Sequence, residues 1–216
     1  MIIFYILQWT ELWATLIPVI VWIIKKPRSY YIKPVKVYLA LILCLYIASY
    51  AVYFKIIDNN HYYYSLIAVC RLSCFAWFFS RLKLFPNKRV IPVVYSAALI
   101  LIIFNFIFLE DFLTAFSSNT FSLEALILLV FCIRYFLKKL KADEVSKRAD
   151  ASSFIITGLA VYEAVCFPLF LFYNTLIHSN STYAAYAWNI VQNINYLIFC
   201  LFIAKAFYES SKHSSN

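Results

Sequence analysis

Six polar side chains interrupt otherwise apolar stretches of this chain, and they are the groups whose chemistry could matter most. Glu11, Glu124 and Glu163 are carboxylates, Arg71 is a guanidinium, and Asn189 and Asn193 are amides. Each lies well inside an apolar run, where an unpaired charge is costly. Depth follows from counting back to the basic residues that close each run. At 1.5 Å per helical residue Glu11 lies about 21 Å from Lys25, Arg71 about 15 Å from Arg81, and Glu124 about 21 Å from Lys138. By the same count Glu163 lies about 22 Å from Arg148 and Asn193 about 18 Å from Lys205. Five groups from five runs therefore fall in one layer, near or just outside a bilayer midplane. Arg71 can reach along its own stem to meet a carboxylate. Three carboxylates against one arginine leave negative charge over, so at least one is expected to carry a proton or to face something cationic. Two expectations compete: a ligand or ion site, and a structural clamp of Arg71 with Glu11 or Glu163, with the asparagines bonding helix to helix.

Two helices must carry polar stripes to position this layer. The first run places Gln8, Glu11, Thr15 and Pro18 at helical spacing, and the seventh does so with Asn189, Gln192, Asn193 and Tyr196. Pro18 and Pro168 each remove a backbone donor and free a carbonyl one turn earlier. Such groups fit a hydrated central cavity.

The rest of the chain specifies a membrane. It is 64% hydrophobic and only 13% charged, far from the balance of about 25% charged residues in soluble domains. Seven runs are long enough to span a bilayer: about 2–24, 37–54, 62–80, 90–109, 121–137, 152–173 and 183–204. The expected fold is all-α, one seven-helix transmembrane domain over residues 1–216. Lys and Arg alternate sharply between the connecting segments, with sixteen on one side and Lys55 alone on the other. The positive-inside rule then puts the N-terminus outside and the C-terminus in the cytoplasm. The net charge of +9 is explained by this topology, and no nucleic-acid partner is expected because the basic residues do not form one soluble patch. The first run lacks a positive leader and a small-residue exit, so it reads as a retained span. Between the fifth and sixth runs the helix is expected to continue by a turn or two before Ser152 or Ser153 caps the next one. Asp58, His61, Glu110, Asp111 and His178 read as solvated residues of exterior loops.

Several chemistries are unsupported. The six cysteines, Cys44, Cys70, Cys74, Cys132, Cys166 and Cys200, all fall in apolar runs and read as small hydrophobes rather than a disulfide framework. Cys70 and Cys74 share a helix face, but no third ligand accompanies them, so no metal or other cofactor is expected. A retinal protein needs a lysine midway along the seventh helix, and Lys205 is at its end. No metalloprotease or serine-nucleophile signature is present, and the chain is not expected to be an enzyme.

A weak internal echo is visible. Glu11 stands fourteen residues before Lys25-Lys26, and Glu124 fourteen before Lys138-Lys139. Asn59-Asn60-His61-Tyr62-Tyr63-Tyr64 also has a counterpart in Ser179-Asn180-Ser181-Thr182-Tyr183. This suggests a 3+1+3 plan, two parallel three-helix units with the fourth helix as linker. The plan is similar to that of SWEET sugar transporters and other PQ-loop proteins, although their Pro-Gln pairs on helices one and five are missing here. More closely, Thr10-Glu11-Leu12 with Pro18, Asp58-Asn59-Asn60, the set Phe154, Gly158 and Tyr162, and the pair Trp188 and Asn193 resemble a group of seven-helix membrane proteins of Bacteroidota often encoded near sensor histidine kinases. The chain departs from that group at Arg71, where its members tend to carry an acidic residue. The resemblance implies a sensory or regulatory protein of the bacterial inner (cytoplasmic) membrane, its partners the lipid bilayer and a signalling protein such as a histidine kinase. Small-solute transport is the alternative.

Overall fold

A computed structural model describes residues 9–50, 61–113, 116–141 and 150–212. The helices are α1 (Thr10–Lys25), α2 (Lys33–Ser49), α3 (His61–Arg81), α4 (Val90–Phe108), α5 (Ser118–Lys141), α6 (Ala151–Ser179) and α7 (Ser181–Lys212). A single 3₁₀ turn, Tyr30–Ile32, leads into α2, and α7 is interrupted by one π-helical turn at Trp188–Gln192. Among the described residues, six helices are long and apolar enough to cross a membrane: α3 to α7, and α2 counted from Tyr30. The helix of the first expected span is described for sixteen residues, Thr10–Lys25, and the remainder of that run, including Gln8, lies outside the described residues.

Neighbour relations close six helices into a ring. α1 packs on α2, α2 on α3, α3 on α5, α5 on α6, α6 on α7, and α7 back on α1. α4 stands outside, resting on α3 and α5. Its sequence explains the position, since its nineteen residues carry no charge and only two conventional polar groups besides Tyr95, namely Ser96 and Asn105. Val93, Ile100, Leu101, Ile103, Phe104, Ile107 and Phe108 are all exposed. A face that apolar and that large is rare on a monomeric soluble protein, and lipid is the solvent it matches.

Rings fill the interior. Tyr38, Phe75, Phe78, Phe79, Phe121, Phe170, Tyr196 and Phe199 are fully buried, and most meet a neighbour edge-on or tilted at centroid distances of 5–6.4 Å, the arrangement their quadrupoles favour. The chain's one glycine marks a close crossing. A Cβ on Gly158 of α6 would come to 2.5 Å from Phe202 Cβ of α7, so only glycine lets these backbones approach so closely. With no second glycine to spend on helix ends, Lys26 and Lys83 take the left-handed conformation after α1 and α3, at φ 46° and 49°.

The basic segments meet at one end of the bundle. Tyr31 donates to Asp150 Oδ1 at 3.1 Å, Lys138 to the Lys83 carbonyl at 2.9 Å, and Lys139 to Ser153 Oγ at 2.7 Å. α5 continues to Lys141, about one turn past the apolar run that ends near 137, as expected, and α6 starts at Ala151 with Asp150 at the cap position. The expected caps, Ser152 and Ser153, lie inside the first turn. Asp150 takes the cap position because its backbone is extended there, and its carboxylate accepts the Ser152 hydroxyl at 2.6 Å.

Candidate functional site

Arg71 enters the ring interior from α3, where hydrophobic residues on either side, Ala68, Leu72 and Phe75, fix that face of the helix inward. Its guanidinium forms a two-pronged pair with Glu124 of α5, Nε to Oε1 at 2.5 Å and Nη2 to Oε2. Nη1 donates to the Tyr162 hydroxyl of α6 at 2.7 Å. The planar head also lies over the rings of Tyr162, Phe121 and Phe170, at 4.8, 5.7 and 5.9 Å from their centroids. A fork geometry that satisfies carboxylate and ring together is specific to arginine, and a lysine could not reproduce it.

Glu163 is the odd member. It is fully buried, one residue beyond Tyr162 on α6, and its Oε1 stands 3.5 Å from Arg71 Nε. That nitrogen already donates to Glu124, and neither Glu163 oxygen receives a hydrogen bond. The cluster thus contains two buried carboxylates and one cation. A buried carboxylate without donors is expensive.

Glu11 forms a second node. It is 2% exposed and is held by neutral donors, the Tyr64 hydroxyl at 2.8 Å and Trp188 Nε1 at 3.3 Å. One turn on, Thr15 donates to the Glu11 carbonyl at 2.6 Å and shares a hydrogen bond with the Tyr196 hydroxyl at 2.8 Å. The proline at 18 leaves the helix short of a donor one turn below, and Thr15 in turn ties that region to α7.

Trp188 and Gln192 connect the nodes. Trp188, on the π turn, packs against Tyr64, Phe121 and Phe170, so its ring stands beside two of the rings that box Arg71 while its N–H faces Glu11. Gln192 Nε2 lies 3.4 Å from the Tyr162 hydroxyl, and the same side chain reaches Glu11. A π turn adds a residue to one helical turn and re-aims what it carries. Here it presents Trp188 and Gln192 to the interior together.

The layer inferred from depth is thus partly assembled. Arg71, Glu124 and Glu163 come together, and Glu11 joins them through Trp188 and Gln192. Glu124, rather than Glu11 or Glu163, is the close partner of Arg71, because α3 and α5 are direct neighbours in the ring. Asn189 and Asn193 are buried but bond one another, Asn193 Nδ2 to Asn189 Oδ1 at 3.1 Å, while Asn189 also donates to the Ala185 carbonyl. The rings of Tyr162, Phe121 and Phe170 flank the guanidinium. Tyr64, Tyr162 and Trp188 were not legible as site residues by depth and charge, since aromatic residues occur throughout the chain.

A further polar knot lies at the opposite end from the basic segments. Glu110, expected to be a solvated loop residue, is 8% exposed. It accepts from Asn105 Nδ2 at 2.7 Å, Asn174 Nδ2 at 3.0 Å and the Asn119 backbone N–H at 3.2 Å. The burial follows from α4, α5 and α6 converging there, each contributing a donor at or near its end.

No protein-family model, curated protein or solved structure matches the chain, so the functional reading rests on its own residues.

Proposed function

We propose that the protein is a multi-pass membrane protein that acts without catalysis, as a sensory or regulatory component, and that the Arg71–Glu124–Glu163 centre is the element that changes state. One observation carries this reading: Glu163 is buried beside an arginine whose fork is already taken, and no donor reaches either of its oxygens. The surplus negative charge is answered by a proton or a small cation. Arrival or loss of that charge favours one arrangement of α3, α5 and α6 over another, which is the differential affinity any switch needs. Those helices end on the basic segments joined by Lys138 and Lys83, so a cytoplasmic signalling partner such as a histidine kinase would read the change there.

The test is thiol labelling of the Lys88→Cys variant of the full chain reconstituted in vesicles, followed across pH and with Na⁺ or K⁺. Labelling that responds in Lys88→Cys and not in Lys88→Cys/Glu163→Gln supports the reading. A response unchanged in Lys88→Cys/Glu163→Gln overturns it.

Transport is the second reading, and it is favoured by the place of α4. A helix outside a ring formed by α1–α3 and α5–α7 is where the linker of a 3+1+3 plan would stand. Solute flux into the same vesicles, abolished by Glu11→Gln, would select transport over sensing.

A further inference from the structure

Where α3 ends and α4 begins, a cleft of about 270 Å³ opens among Tyr30, Arg81, Lys83, Asn87, Lys88 and Ile91. Three cations line it. Among the described residues no carboxylate pairs with any of them. Arg81 is held in place by rings, its guanidinium carbon 3.5 Å from the Tyr30 centroid and 5.2 Å from that of Trp77. Stacking fixes the plane of the group while leaving its N–H edge to bond an anion. Arg81 Nη1 is buried and has no hydrogen-bond partner. A buried donor without a partner, on a cleft whose charged lining residues are all cations, is a site built for negative charge.

We propose that this cleft binds an anionic phosphate ester. Arg81 would take two phosphate oxygens, with Lys83 and Lys88 adding charge as mobile ammonium groups. The volume falls just below the range of about 300–1,000 Å³ usual for drug-sized ligands, which suits a headgroup-sized fragment. Ile91 and Pro92 also line the cleft, and the exposed apolar face of α4 starts at Val93. A phosphate held at Arg81 would therefore have a hydrocarbon-compatible track leading away from it, as a lipid requires. A free phosphate ester shares the headgroup chemistry without the track.

The experiment uses the full chain in a neutral detergent and native mass spectrometry, offering phosphatidylglycerol, phosphatidylcholine and soluble glycerol phosphate. Retention of phosphatidylglycerol over phosphatidylcholine is expected, falling about fivefold for each cleft charge removed. Lys83 and Lys88 are exposed, so the double variant Lys83→Gln/Lys88→Gln tests the cleft without disturbing the core, and Arg81→Gln should lose retention further. The control, Lys25→Gln/Lys26→Gln, removes the same charge elsewhere at that end. Retention in the Lys83/Lys88 variant within about twofold of the natural protein overturns the proposal. An equal loss in the control also overturns it, because the attraction would then be unspecific. Given a cleft-specific loss, displacement of the lipid by millimolar glycerol phosphate identifies a soluble ester as the occupant, and resistance to displacement identifies the lipid headgroup.

Discussion

Glu110 and Glu163 are both carboxylates sealed inside the bundle, and they have opposite surroundings. Glu110 receives two asparagine amides and a backbone N–H, all neutral donors, drawn from the ends of α4, α5 and α6. Glu163 receives none, and its nearest cation is shared with Glu124. The first arrangement is complete as it stands and ties three helices together. The second leaves a carboxylate with no donor of its own. Burial alone therefore does not distinguish the two. The donor inventory around each oxygen does.

The largest effect that would break this contrast is removal of the shared cation. Arg71→Leu leaves Glu124 and Glu163 buried without a counter-charge and should cost about 3–5 kcal/mol, read by thermal unfolding in detergent. The double variant Arg71→Leu/Glu124→Leu should recover much of that loss, because buried pairs are often replaceable by apolar groups. If Arg71→Leu alone were harmless, the charged centre would not exist as described. Glu110→Ala comes next. It strands the Asn105 and Asn174 amides and the Asn119 N–H, with a loss of about 1–3 kcal/mol and faster proteolysis at the α4–α5 connection.

Gly158→Ala is expected to be comparable, at about 1–3 kcal/mol, since its Cβ would fall on that of Phe202 and push α6, which carries Glu163, away from α7. Smallest is Glu163→Gln. No hydrogen bond to either oxygen is lost and the surplus charge disappears, so stability should stay within about 1 kcal/mol or rise. A large loss from Glu163→Gln would place Glu163 with Glu110 as a structural group and remove the basis for a switch.

Much of this arrangement was legible in the residues. Apolar runs of spanning length and the alternation of basic segments pointed to a polytopic helical fold, and a charge inside such a run is rare enough to stand out. Arg71, Glu124 and Glu163 were visible for that reason. Their pairing was not. Glu11, Glu124 and Glu163 all lie at similar depth, and depth along a helix says nothing about which helices are neighbours. Glu110 was misread because a loop glutamate followed by an aspartate looks solvated, and its partners sit 5, 9 and 64 residues away.

What the sequence determined by itself is the solvent. Hydropathy and charge act residue by residue, so composition and spacing suffice to specify apolar helices and a layer of polar groups among them. The tertiary structure decided everything that depends on two helices at once. It placed α4 outside the ring, gave Arg71 to Glu124, left Glu163 without donors, and turned Trp188 and Gln192 inward on a π turn. Those outcomes rest on packing of large rings around one glycine-width contact and on hydrogen bonds whose directions no single helix contains.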